Sequence, residues 1–311
     1  MGRASPAVAA LAASCLLLVL ASSSVFAARP GVDSLPRPAQ ATAVSELPAQ
    51  VYAPGVFIVE PPNPFPGAII KVLVSLPARV GEGTVTLAGR TYKGFVVGGL
   101  LTVYVGIDLD VKPGTYTVDY RLGESRGSRK VEIVGREFES ESLTVSRAYT
   151  QLDEFAAGRV VRENKMLAAI WATHSPQRLW RGAFLKPADG PLGSPFGLRR
   201  IFNGKPRSPH AGLDIRATAG SPVHASNHGR VVYAGELFFS GNTVIIDHGL
   251  GLYTLYAHLL KMYVKQGGSV ERAELIGRVG ETGRVTGPHL HWGVKLGGAR
   301  VGPSMLPGLS L

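Results

Sequence analysis

Short apolar runs closed by glycine or proline recur along most of the chain, and one stretch breaks that rhythm. In the first half the runs are Val56–Val59, Ala68–Leu76, Thr84–Leu87, Phe95–Val97, Leu101–Val105, Tyr116–Tyr120 and Lys130–Val134. Apolar and polar positions that alternate over a few residues mark half-buried strands. Ahead of Thr115–Val118, the turn Lys112–Pro113–Gly114 signals a strand start, because Pro presets φ and Gly accepts a positive one. The seven runs predict an immunoglobulin-like β-sandwich over residues 50–136. That segment holds no histidine and its acids are scattered, so it reads as a spacer or docking module.

The period then changes. Val160, Leu167, Ile170 and Trp171 fall at helical spacing, and Pro176 stops the run. Residues 137–177 therefore read as a connector, with one or two helices between Ser146 and Ser175. His174, near its end, is placed to interact with a helix C-terminus. From residue 178 the short runs return in Val231–Ala234, Thr243–Asp247, Tyr253–Ala257, Leu275–Val279 and Leu290–Leu296. Gly229, Gly235, Gly241, Gly249 and Gly251 are among the glycines between them. A second all-β unit over residues 178–305 follows, so the fold class is mainly β.

Composition changes this picture at the N-terminus. Arg3 precedes an apolar run from Ala7 to Leu20, and Val25–Phe26–Ala27 supplies small-x-small spacing. This is the pattern of a secretory signal over residues 1–28, cut after Ala27 or Ala28. The run is short for a membrane span, so export to the periplasm, cell envelope or exterior is expected, without stable membrane insertion after cleavage. Residues 29–49, rich in Pro, Ala and Ser, read as a flexible leader. The one cysteine, Cys15, lies inside the signal, and the mature chain then rests on packed cores rather than disulfides. With 33 basic against 22 acidic residues the chain carries +11. It shows no zinc-finger cysteine pairs, basic helix or basic-aromatic run, which argues against nucleic acid and for an anionic wall or surface.

Seven of the eight histidines lie between His210 and His291, and their spacing points to a metal. In an extended segment His210 and Asp214 share a face with Gly212 between them, and Ile215 faces the other way. His289 and His291 likewise flank the core-facing Leu290. His258 closes the run Tyr253–Ala257. Any one of these pieces alone would fit a surface ion pair or a hydrogen-bonded strand end. Together, two neutral imidazoles and a carboxylate suit one Zn²⁺ with an open fourth position. Such an ion brings the pKa of bound water to about 7 and polarises a carbonyl. No H-E-x-x-H helix is present, so the remaining histidines must supply acid–base and oxyanion chemistry.

An ordered set of motifs resembles the lysostaphin/LytM-type zinc endopeptidases that cut peptidoglycan. It runs Pro195–Phe196–Gly197, His210-x-x-x-Asp214, Gly241–Asn242–Thr243–Val244, His248–Gly249, Tyr256-x-His258–Leu259, Gly280-x-Thr282–Gly283 and Thr286–Gly287–Pro288–His289–Leu290–His291. The resemblance covers roughly Leu179–Gly302. It implies Zn²⁺ ligands His210, Asp214 and His291, and catalytic histidines His258 and His289, one as general base and the other stabilising the oxyanion. It also implies an antiparallel β-sheet peptidase domain of the duplicated-hybrid-motif type with a groove, acting on peptidoglycan stems or cross-bridges. The N-terminal β unit resembles the accessory domain that precedes some members. Members that have lost ligands activate other hydrolases, which makes a non-catalytic activator or scaffold the alternative. A broad protease of glycine-rich proteins is a third possibility. His224 and His228 flank a strand-turn, while His248 and Asn242 fit turn roles and Tyr256 fits either core or groove.

Overall fold

The computed structural model describes residues 57–75, 83–145, 152–173 and 175–308. The expected signal segment, leader and His174 lie outside them. Residues 49–311 form one compact unit, and the architecture is mainly antiparallel β.

Alternating burial builds the N-terminal part. Ile69–Ser75 pairs with Phe57–Glu60 on one side and Leu100–Gly106 on the other, and Phe95–Val97 completes a four-stranded sheet. A second four-stranded sheet runs Arg90–Lys93, Gly83–Leu87, Gly114–Leu122, Ser125–Ile133. Val72, Val74, Val103 and Val105 from the first sheet and Val85, Val118 and Ile133 from the second join one hydrophobic core. All are 5% exposed or less, so removal of apolar surface from water holds the sheets together. The strand Arg90–Lys93 was not expected; only Tyr92 of its four residues is buried, so its apolar pattern is faint.

Among the described residues of the connector there is one helix, Glu154–Ala172. Asp153 caps it by accepting a hydrogen bond from the Ala156 amide. It lies against the C-terminal sheet: the Tyr253 hydroxyl donates to the Ile170 carbonyl, and Trp171 meets Tyr253 edge to face. Ahead of the helix, Ser140–Leu143 forms a strand parallel to Arg199–Phe202. The sequence did not signal this strand. Its residues are Ser-Glu-Ser-Leu, none buried, and its partner is remote in the chain.

The C-terminal sheet is ordered Gly212–Ile215, Leu290–Leu296, Leu252–Ala257, Gly241–Asp247, Gly229–Leu237, Ser269–Val270, with Ala299–Val301 added to Leu290–Leu296. A smaller sheet joins Pro222–His224, Leu275–Val279 and Leu259–Met262. The chain passes between the two sheets at His258, whose φ of 62° lets Leu252–Ala257 turn directly into Leu259–Met262. Among the described residues no helix is long and apolar enough to cross a membrane.

Candidate metal centre and cleft

The two central ligand candidates meet by register. In the antiparallel pair of Gly212–Ile215 with Leu290–Leu296, Asp214 stands opposite His291, and Ala257 flanks His291 on the other side. Gly212 is required there. A Cβ at this position would lie 2.6 Å from His291 Cε1 and 2.6 Å from the Trp292 carbonyl oxygen, closer than any side chain tolerates. His210 precedes the strand and His289 precedes the neighbouring one, held by its bridge to Gly280. Leu290 and Ile215 are fully buried on the core side, as alternation requires.

Three donor atoms converge. His210 Nε2 lies 2.9 Å from His291 Nδ1 and 3.1 Å from Asp214 Oδ1, and His291 Nδ1 is 3.0 Å from that same oxygen. Main-chain contacts set the tautomer, because a carbonyl can only accept. His210 Nδ1–H donates to the Pro195 carbonyl at 2.9 Å, leaving the Nε2 lone pair aimed into the cluster. A carbonyl that takes the other ring proton fixes the orientation of a metal-binding imidazole. Zn–N bonds of about 2.0–2.1 Å place tetrahedral ligands roughly 3.3 Å apart, within a few tenths of the spacing here. The donor set fits one Zn²⁺.

The electrostatics agree. Burial alone would raise the Asp214 pKa, but its close contacts with the His210 and His291 imidazoles outweigh it and hold the carboxyl ionised far below its usual range. Desolvation lowers the pKa of His291, against the hydrogen bond to Asp214. Two neutral imidazoles and one carboxylate then leave a net charge that a dication more than balances.

His258 and His289 face this cluster without belonging to its donor triangle. Their rings lie 4.9 Å apart, and His258 is 6.0 Å from His291 between centroids. His258 Nδ1–H donates to the Thr282 carbonyl and His289 Nδ1–H to the Gly287 carbonyl, each at 2.9 Å. Both therefore present Nε2 to the cleft. Desolvation pushes the His258 pKa down to about 4 despite the Thr282 carbonyl, so this ring is neutral at pH 7. His289 Nε2 stands 3.8 Å from Asp214 Oδ1.

These five residues line a cleft of about 930 Å³. One wall comprises Phe239, Ser240 and the run Arg284–Pro288; the other carries Gly193, Ser194, Arg200, Arg216 and, from the segment before the helix, Glu141, Leu143 and Val145. The sequence did not point to that second wall. Its guanidiniums look like ordinary surface charge until the chain is folded. The carbonyls of Pro195, Thr282 and Gly287 lay within the quoted motifs, but a main-chain oxygen has no signature in residue type.

The other candidates sit elsewhere. His248 is fully buried, donates from Nδ1 to the His228 carbonyl at 2.7 Å, meets Thr254 Oγ1 through Nε2 at 2.7 Å, and has its pKa lowered to about 4 by desolvation. Tyr256 is in the core, where its hydroxyl takes hydrogen bonds from the Ser226 amide and Thr254. Asn242 donates from its side-chain amide to the Leu259 carbonyl and from its main-chain amide to Thr282 Oγ1, a structural brace. His224 ends a strand of the small sheet and His228 offers its carbonyl to His248.

Comparison with known proteins converges on the same half. Residues 208–303 match the model of peptidase family M23. The chain is 34% identical over 170 residues to the peptidoglycan DD-endopeptidase ShyA of Vibrio cholerae, a match spanning 54% of this chain and 40% of that protein. It is 43% identical over 112 residues to the DD-carboxypeptidase/endopeptidase Mpg of Neisseria meningitidis, spanning 36% of this chain and 26% of that one. The chain thus spans well under half the length of these curated relatives. A crystal structure from Pseudomonas aeruginosa assigned to peptidase M23 superposes with a TM-score of 0.63 at 32% identity, covering 78% of this chain and 94% of that one.

Proposed function

Since the chain belongs to peptidase family M23, we propose that it is an exported zinc endopeptidase that hydrolyses peptide cross-links of peptidoglycan. The observation that carries this reading is the convergence of His210 Nε2, Asp214 Oδ1 and His291 Nδ1 within 3.1 Å of one another at the floor of an open cleft. These three are the proposed ligands of one Zn²⁺. When bound, the ion supplies a Lewis acid that polarises a peptide carbonyl and makes water nucleophilic at neutral pH. The names of the matched relatives support peptidoglycan as the substrate and the cell envelope as the place of action. The +11 charge favours association with anionic wall polymer. The strand orders of the two N-terminal sheets support an immunoglobulin-like accessory domain over residues 50–136.

The chain's own groups divide the proton work. His258, neutral and fixed by Thr282, offers Nε2 as acceptor for the proton of an attacking water. His289, with Nδ1 held by the Gly287 carbonyl and Nε2 3.8 Å from Asp214 Oδ1, is placed to donate from Nε2, as an imidazolium, to the developing oxyanion. Walls on both sides leave room for an extended peptide laid along the cleft.

Mass analysis of purified peptidoglycan incubated with wild type and with His291→Ala tests the reading. Wild type is expected to release shortened muropeptides and the variant none above background. Equal products from both would refute the site, and wild type that retains zinc and binds wall without cleaving it would favour the activator reading instead.

A further inference from the structure

We infer that the outer face of the sheet Arg90–Lys93, Gly83–Leu87, Gly114–Leu122, Ser125–Ile133 binds a phosphate-bearing polymer of the cell envelope through Lys93, Arg121 and Arg126. None of these three residues lines the cleft, so the site is separate from the proposed metal centre. The choice of an envelope polymer rests on the export proposed above. The site itself does not depend on the peptidase reading.

Strand register builds the site. Lys93 stands opposite Thr84, Thr84 opposite Arg121, and Arg121 opposite Arg126, so one row of side chains crosses all four strands. Alternation turns that row away from the core. The sequence neighbours Tyr92, Val85 and Leu122 are buried, while Lys93, Arg121 and Arg126 are exposed and Thr84 is half-buried. With strands about 4.8 Å apart, the two ends of the row are roughly 14 Å from each other. Like charges directly opposite one another destabilise a sheet, and Arg121 faces Arg126 in a row that holds no carboxylate. Acids on the same face stand in other rows and are engaged: Asp119 accepts from Ser128 Oγ at 2.6 Å and Glu132 from Thr115 Oγ1 at 3.2 Å. Among the described residues, none of the three cations has an ion pair or an aromatic ring as partner. Two hollows adjoin the row. One, of about 310 Å³, is lined by Lys93, Thr84 and Arg121; the other, of about 480 Å³, by Thr84, Arg121, Arg126 and Ser128. Thr84 and Arg121 belong to both, so the hollows form a trough that runs across the strands.

A row of cations that repel one another is relieved by an anion laid along it. The occupant's chemistry follows from the spacing. A lone anion meets one or two of these groups, whereas a polymer charged at every repeat meets all three. One guanidinium fork fills both oxygens of a carboxylate. A tetrahedral phosphate can instead accept from two neighbouring donors at once, as Arg121 and Arg126 on adjacent strands require. The hydroxyls of Thr84 and Ser128 in the same trough supply further donors to phosphate oxygens. A bilayer surface fits less well: the outward positions of the two central strands are Thr84, Thr86, Thr115, Thr117, Asp119 and Arg121, with no aromatic or aliphatic group to enter the lipid interface.

The test measures binding of the full chain to inorganic polyphosphate over a range of salt concentrations. Poly-glutamate of matched charge and vesicles of equal parts phosphatidylglycerol and phosphatidylcholine serve as the competing anions. Lys93→Gln, Arg121→Gln and Arg126→Gln combined in one variant are expected to weaken polyphosphate binding roughly 100-fold or more at about 50 mM salt. The slope of log Kd against log salt should fall by about 2 to 3, since each lost phosphate contact removes about 0.7–0.9. A control variant combines Lys112→Gln, Arg162→Gln and Lys165→Gln, all exposed and outside the row. It removes the same charge and should lose less than about threefold, with its slope unchanged. Arg126→Gln alone, which should lower the slope by about one, makes the same comparison if the triple variant does not fold. Equal losses in the two triple variants would overturn the proposal, because the charge of the whole chain would then be responsible. Tighter wild-type binding to poly-glutamate or to the vesicles than to polyphosphate would overturn the assignment of the occupant. Binding is read without turnover, so failure of the peptidase reading would leave this result standing.

Discussion

Main-chain oxygens decide what each imidazole in the cleft is able to do. Pro195 takes the Nδ1 proton of His210, Thr282 that of His258 and Gly287 that of His289, and every Nε2 is thereby turned inward. Ligand and base thus differ by position, not by tautomer. The difference is testable: His210→Ala removes a proposed ligand and should lose bound zinc together with activity. His258→Ala should keep about one zinc per chain and lose about 10²- to 10⁴-fold in kcat, the usual size of a general-base contribution. Zinc analysis beside steady-state kinetics on the same preparations separates the two, and zinc loss in His258→Ala would move that residue into the ligand set. At this scale the sequence was informative wherever side-chain chemistry carried the signal. The spacings His210-x-x-x-Asp214 and His289-x-His291 point to a metal when taken together, and the family resemblance tells ligands from catalytic histidines.

Elements bring these residues into reach, and their registers tolerate little change. Gly212 lies across from Gly293 so that the His291 ring can occupy the space a side chain would fill. Gly212→Ala is expected to leave a folded protein while weakening zinc binding by about 10- to 100-fold, the range seen when support around a ligand is disturbed; competition with a chelator measures it. A second prediction concerns the strand end at His248. This histidine is buried neutral with a pKa of about 4, against about 6.5 in an unfolded chain. The unfolded state therefore binds the extra proton as pH falls from about 6.5 toward 4, and stability present above that window is lost within it. Between pH 7 and pH 5 this one group should remove about 2 kcal/mol. Urea unfolding of His248→Gln should show a pH dependence shallower by about that amount, whatever its stability at pH 7. Legibility at this scale followed burial. Leu275–Val279 and Leu290–Leu296 were evident from alternation, because one face of each is apolar. Ser140–Leu143 and Arg199–Phe202 were not, because their pairing to each other defines them and neither contains a buried residue.

Across the whole molecule, the strand that carries His291 at one end is clasped by the N-terminal sheets at the other. Gly297, just past Leu296, packs beneath Tyr92 and accepts a hydrogen bond from Arg90 at 3.1 Å. Trp180 meets both Phe95 and Tyr104 edge to face at 6.0 Å. At the centre, Arg300 donates to Asp108 through its main chain at 2.8 Å and its guanidinium at 2.6 Å. Burial opposes ionisation of Asp108, yet these hydrogen bonds bring its pKa down to about 2. The pair therefore contributes stability above the ordinary carboxylate range, lost as pH falls toward about 2. Two β units joined only by a tether would unfold separately; a shared core with this clasp should make them one cooperative unit. Trp171 lies on Tyr253 and Trp292 is buried in the C-terminal sheet, whereas Trp180 touches Phe95 and Tyr104, so tryptophan fluorescence read in a Trp180→Phe background reports the C-terminal half. Asp108→Asn, a change in the N-terminal half, should lower the unfolding free energy read by that fluorescence by about 2 kcal/mol, with bound zinc unchanged before unfolding. An unaltered tryptophan transition alongside a shifted far-ultraviolet signal would show instead that the halves unfold independently, and that the clasp at Leu296–Arg300 plays no part in holding the strand of His291.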